Sequence, residues 1–252
     1  MKEIIIKTDK LCKTYSSGGV QQHVLKNLDL EIYEGDFTVI MGSSGAGKST
    51  LLYAVSGMDK PTLGKIYFSE KEINNMNNDQ LAVFRRSHCG FVFQQIYLMD
   101  TMSVLDNVLA AGYLSSTNKE VLIERAEDLF QSVNIEENLY DKFPSQLSGG
   151  EAQRCGLVRA LINNPEVVFA DEPTGQLNSG NSLAVLDLFT ELHEKGQSIV
   201  MVTHDLKTAS RGNRIIYLKD GLVCGELDLG KYSADDSSRY EKLNHFLSEM
   251  GW

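Results

Sequence analysis

The chain has 252 residues, 42% hydrophobic and 23% charged, so it can bury a large core, and disorder is not the default expectation. Its 24 basic and 34 acidic residues leave a formal charge of -10, which argues against broad attraction to nucleic acid or anionic lipid. The opening "MKEIIIKTDK" holds too short an apolar run for a signal-peptide core, and no later run approaches a membrane span, so a soluble chain is expected.

The first ninety residues read as short strands with turns: "EIIIKTD", "VLKNLDLEIY", "DFTVIMG" and "GKIYFSE", punctuated by Gly18-Gly19, Glu34-Gly35 and Gly64. Between the last two strands, "VIMGSSGAGKST" matches the phosphate-loop pattern G-x-x-x-x-G-K-[ST], with an apolar strand before it and the helix-competent "LLYAVSG" after it. Glycines there let consecutive backbone N–H groups wrap phosphate oxygens, and the following helix start adds partial positive charge. The candidate nucleotide-binding residues are therefore Gly42, Ser43, Ser44, Gly45, Ala46, Gly47, Lys48, Ser49 and Thr50. Lys48 would reach the β and γ phosphates, and the Ser49 hydroxyl would coordinate Mg²⁺.

After "GFVFQQ" the texture becomes helical. "TNKEVLIERAEDLF" is predicted as a helix opened by a Thr117–Glu120 capping box, with Leu122, Ala126, Leu129 and Val133 on one face. Ser148-Gly149-Gly150 precede a helix whose apolar face includes Leu157, Ala160 and Leu161, a second candidate anion site at a helix start. Buried-strand texture returns in "EVVFA", "SIVMVTH" and "RIIYLKDG", and "NSLAVLDLFTELHEKG" between the first two reads as a crossover helix, which implies a parallel sheet. Asp171 and Glu172 follow the apolar run Val167–Ala170, a place where acids also serve as turn or cap residues. With a phosphate loop elsewhere in the chain, Asp171 takes the place of the Mg²⁺-shell acid and Glu172 that of a base for attacking water. "YEKLNHFLSEMGW" would be a closing helix with Tyr240, Leu243, Leu247 and Met250 on one stripe. Cys12, Cys89, Cys155 and Cys224 have neither zinc-site nor disulfide spacing and read as free thiols in a reducing cytoplasm.

The phosphate loop at 42–49, "LSGGE" at 147–151, "VVFADE" at 167–172 and "VTHD" at 202–205 resemble, in order and spacing, the motif set of ATP-binding-cassette (ABC) ATPases over about residues 3–230. The resemblance implies an α/β fold: a P-loop NTPase (RecA-like) core, an N-terminal antiparallel β subdomain and an inserted α-helical subdomain. The corresponding boundaries are a domain over 1–230, with core 1–94 and 161–230 and helices at about 95–160, followed by a helical extension at 231–252. It further implies ATP and Mg²⁺ as cofactors, Tyr15 stacking on adenine, and Gln94 contacting Mg²⁺ and the attacking water, the duplicate Gln95 leaving that register open by one. Ser148, Gly149, Gly150 and Glu151 would meet the γ-phosphate held by a second copy in a homodimer, and His204 would contact the γ-phosphate in its own copy.

Within the family, "VFRRSHCGFVFQQIYLMDTMSVLDNV" and "ADEPTGQLNS" look most like subunits serving lipoprotein release, macrolide export and bacitracin-type peptide export or resistance. Such a subunit would sit at the inner face of the cell membrane and drive a separate permease, docking through Ile96, Tyr97, Leu98 and Met99. A regulatory or sensory ABC ATPase is the alternative. A DNA-associated one fits less well with the acidic charge. One departure stands out: Leu177 is followed by Asn178, where the family usually has Asp, so the hydrogen-bonding shape is kept and the charge is lost.

Overall fold

The computed structural model describes residues 2–252. Near the N-terminus, β1 (Ile4–Ser17) and β2 (Val20–Tyr33) form a long antiparallel ribbon, extended beyond β1 by β4 (Leu63–Phe68) and β5 (Lys71–Glu72), in the order β2-β1-β4-β5. A second sheet of six strands contains β3 (Phe37–Met41), β6 (Cys89–Phe93), β7 (Val167–Asp171), β8 (Ser198–Val202), β9 (Arg214–Lys219) and β10 (Leu222–Asp228), in the order β10-β9-β3-β8-β7-β6. All its pairs are parallel except β9–β10. Every residue of β3, β7 and β8 is buried, which is why these strands read as unbroken apolar runs rather than alternating ones.

The pleat of this sheet divides the core in two. Ile40, Val167 and Phe169 face a cluster shared with β1, β2, α1 (Lys48–Val55) and α2 (Asn78–His88). Val39, Met41, Val168 and Ala170 face the other cluster, built with α3 (Val104–Gly112), α4 (Lys119–Ser132), α5 (Gly149–Leu161), α6 (Ser179–Glu194) and α8 (Ser238–Glu249). α6 makes the crossover from β7 to β8, and the single turn α7 (Leu206–Ala209) follows β8. The strand-to-helix junctions after β3, β7 and β8 lie at the carboxyl ends of neighbouring parallel strands, where such sheets gather their chemistry.

Three expectations are corrected. α2 lies inside the stretch read as strands and turns; only Leu81 and Phe84 of it are buried, too thin a stripe to announce a helix, although Asn77 and Gln80 cap it reciprocally. The cap of α4 is Asn118 rather than Thr117, its side chain accepting the Val121 N–H; Phe130 takes the fully buried position, with Leu122, Ala126 and Val133 buried and Leu129 partly so. On α8 the buried stripe is Arg239, Leu243, Phe246 and Leu247, and Tyr240 is exposed because Phe246 occupies the inward face instead. Among the described residues, no helix is long and apolar enough to cross a membrane.

Candidate functional site

β3 ends at Met41, and the chain then passes so close to β9 that a Cβ on Gly42 would stand 2.1 Å from the Leu218 carbonyl oxygen. Only glycine fits there. The loop runs into α1 at Lys48, whose first turn has no side-chain cap, so its N–H groups point at whatever enters the loop. The Lys48 ammonium donates to the carbonyl oxygens of Gly42 at 2.9 Å and Ser43 at 3.0 Å, bridging its own loop. Burial pushes the Lys48 pKa down, while Glu172 and Asp171 pull it back up. A buried cation resting on neutral carbonyls is poised to exchange them for anionic oxygens.

Asp171 closes β7 and is buried. Ser49 Oγ donates to its Oδ1 at 2.9 Å and Tyr53 Oη to its Oδ2 at 2.7 Å. Ser49 and Tyr53 are four residues apart on α1 and so share a face. The Asp171 carboxylate and the Ser49 hydroxyl, beside the phosphate loop, offer only oxygen donors, which suits Mg²⁺. A single carboxylate is sufficient for an ion that keeps waters and phosphate oxygens as its other ligands; among the described residues no cluster of three or more His, Cys, Asp or Glu is present.

The next residue, Glu172, is left-handed at φ 47, at a cost of about 1 kcal/mol for a side chain without special tolerance. Its N–H is held by the Val202 carbonyl at 3.0 Å, which ties the turn to the end of β8. The strained turn directs the Glu172 carboxylate to His204 Nδ1 at 2.8 Å and to the Thr203 hydroxyl at 3.1 Å. Ser43, Ser44, Lys48, Glu172 and His204 together line one cavity of about 650 Å³, completed by Tyr217, Lys219, Gly251 and Trp252.

The model of the ABC transporter family matches residues 25–175. The chain belongs to the ABC transporter family. Among its relatives, the ABC transporter ATP-binding protein MJ0796 of Methanocaldococcus jannaschii is 42% identical over 223 residues, covering 87% of this chain and 95% of that protein. The macrolide export ATP-binding/permease protein MacB of Bartonella henselae is 36% identical over 95% of this chain, which spans 36% of that longer protein. Among solved structures, the dimeric post-hydrolysis cassette of MJ0796 bound to ADP and Pi superposes with a TM-score of 0.83 at 39% identity, covering 90% of this chain and all of that one. The structure of cbiO1 from Clostridium perfringens, part of the transporter complex cbiONQ, superposes at 0.80 with 29% identity, covering 99% of this chain and 98% of that one. The chain is thus an ABC ATPase, with the P-loop NTPase architecture expected from its sequence.

Of the remaining ABC motif positions, Gln94 follows β6 and lies over the turn after Glu172: a Cβ on Gly175 would stand 2.8 Å from its Nε2. Gln95 follows it as a second exposed residue. The Tyr15 ring is 43% exposed, donates its hydroxyl to Asp59 at 2.9 Å and has Lys13 Nζ 5.0 Å from its centroid. Ser148 caps α5, and the Ser148 hydroxyl and N–H hold the Glu151 carboxyl below its usual pKa. Ser148 and Gly149 are exposed, Gly150 is buried against Asn181, and none of these residues lines the cavity of Lys48 and Glu172. Asn178 caps α6 through its side chain, accepting from Asn181 N–H at 3.0 Å.

Tyr53 and Thr203 escaped the sequence reading. Tyr53 carries a readable signal, since it lies one helical turn beyond Ser49 of the phosphate loop. Thr203 neighbours His204 in "VTHD" but has no spacing of its own to mark it.

Proposed function

We propose that two copies of this chain close on ATP and drive export or extraction of a peptide, lipoprotein or drug-like substrate through a separate membrane permease, docked at the inner face of the cell membrane. The observation that carries this is a division of labour within one chain. Ser43, Ser44 and Lys48 of the phosphate loop meet the Glu172–His204 pair in one cavity, and Asp171 is joined to the same loop through Ser49, while Ser148 and Gly149 at the second helix start are exposed and do not line that cavity. A two-fold dimer lets each copy offer that helix start to the other's cavity.

The bound ATP and Mg²⁺ supply the phosphoryl group and its charge clamp. Lys48 would exchange the Gly42 and Ser43 carbonyls for phosphate oxygens, and Ser49 and Asp171, with Gln94, would hold the cation. Glu172 would orient the attacking water and take its proton, and His204, which shares the cavity with Lys48 and bonds Glu172, would contact the γ-phosphate. Tyr15 offers its half-exposed ring to the adenine. The similarity to MacB, a macrolide export protein, supports the export class of substrate. The same proposal includes an ABC ATPase domain over 1–230, with core 1–94 and 161–230 and a helical subdomain at about 95–160, a helical extension at 231–252, and permease docking just after Gln94.

Glu172→Gln keeps the shape and loses the base. ATP binding is expected to survive while hydrolysis falls about 10²–10⁴-fold and an ATP-bound dimer accumulates in sedimentation. Hydrolysis at the parental rate would overturn the base assignment. Substrate flux in vesicles containing the permease separates pumping from sensing.

A further inference from the structure

α8 is anchored as part of the main core. Leu243, Phe246 and Leu247 are buried there, and Arg239, 2% exposed, donates to the carbonyl oxygens of Ser210 at 2.5 Å and Leu229 at 2.8 Å and also to that of Gly212. The helix stops at a left-handed Gly251, φ 77, with Gly251 N–H on Ser248 O at 3.1 Å and Trp252 N–H on Leu247 O at 3.0 Å. These paired bonds form a Schellman cap, which fixes the direction of the residue that follows it. Trp252 is thereby set edge-on to buried Tyr217, ring centroids 6.2 Å apart, yet 45% of it stays exposed.

That exposed indole is a wall of the cavity that also holds Ser43, Lys48, Glu172 and His204. It is the chain's single tryptophan. On the reading above the nucleotide's base stacks on Tyr15, which does not line this cavity, so the Trp252 wall would meet no part of the base. Resting on the dimeric reading above, we propose that Trp252 is part of the closing surface: a second copy of this chain covers the indole when ATP brings the two catalytic cavities together. An isologous interface presents the same patch twice, so two indoles are buried per closure, and a half-exposed aromatic held on a rigid cap is the type of side chain that dominates such interfaces.

The test uses the full chain carrying Glu172→Gln, with Mg·ATP as the probe. Emission from Trp252 is titrated at protein concentrations below and above the dimer dissociation constant, and sedimentation is run on the Trp252→Ala and Trp252→Phe variants of the same chain. Emission should change in step with the dimer fraction. Trp252→Ala should weaken the dimer about tenfold with ATP affinity of the monomer unchanged, and Trp252→Phe should restore most of it. An emission change of equal size in the ATP-bound monomer, or a loss of ATP affinity in Trp252→Ala with dimerisation intact, would make the indole a nucleotide contact and overturn the proposal. Dimer affinity indifferent to Trp252→Ala would overturn it as well. A chain that stays monomeric at saturating Mg·ATP with Trp252 in place would instead overturn the closure reading, and the proposal with it.

Discussion

Asp171 has a hydroxyl on each oxygen, and the two hydroxyls have different freedom. Ser49 sits at the start of α1, where its oxygen would turn to the proposed cation, whereas the Tyr53 hydroxyl would be left as the donor that keeps the carboxylate oriented. Burial and then the bond to Asp171 push the Tyr53 phenol well above its usual pKa, so it remains a donor throughout the working pH range. Tyr53→Phe deletes this bond and leaves the ring. A hydrogen bond to a buried charge contributes about 1.5–3 kcal/mol, so the Mg²⁺ concentration for half-maximal ATPase activity should rise about tenfold or more. ATP binding measured without Mg²⁺ should be unaltered. An unchanged Mg²⁺ profile would detach Tyr53 from the metal site.

Among the elements, those that announced themselves do so for a physical reason. Strands β3, β7 and β8 are covered on both faces and spell out apolar runs, and the phosphate loop needs glycine where the backbone passes β9 too closely for any Cβ. α2 stayed hidden because it buries little, and the cap of α4 slipped by one residue because Thr117 and Asn118 are both competent caps and only the folded turn selects between them. The cluster of Lys48, Asp171, Glu172 and His204 was legible as a motif set. The tilt of Glu172 onto His204 depends on a left-handed turn that no side-chain pattern announces, and the Trp252 wall depends on packing of α8. Asn178 shows how an element informs a residue: it is the N-cap of α6. Asn and Asp cap about equally, so Asn178→Asp should move stability by less than about 0.5 kcal/mol, while Asn178→Ala should cost about 1 kcal/mol in denaturant titrations. Any difference in turnover or dimer affinity for the Asp variant then reports on the facing copy rather than on the fold. A destabilised Asp variant would contradict the capping role.

For the whole molecule, ATP chemistry has to be felt where a permease binds. On the proposed docking, the segment after Gln94 would carry that contact: Arg159 on α5 donates to the carbonyl oxygens of Ile96 at 2.7 Å and Tyr97 at 2.5 Å, and the Asn107 side chain clamps both the N–H and the carbonyl of Met99. Its backbone is therefore fixed while Tyr97, 60% exposed and left-handed at φ 53, and Met99 project outward. Rigid backbone with outward apolar side chains resembles the centre of an interface more than a loop. The same segment begins at the strand whose last residue, Phe93, pairs in register with Asp171, so on the proposed docking a shift there would reach Asp171 through one ladder step. Tyr97→Glu places a charge on the proposed surface at a residue that does not line the catalytic cavity, although it lies within electrostatic reach of Tyr53. ATPase activity of the isolated chain should stay within about twofold, as for other surface changes, while affinity for the permease should fall about tenfold or more. The check is co-purification with the permease together with permease-stimulated ATPase activity. Retention of both by Tyr97→Glu would move the docking site elsewhere on the helical face, and loss of the basal activity as well would show that Tyr97 supports the fold of the site rather than its partner.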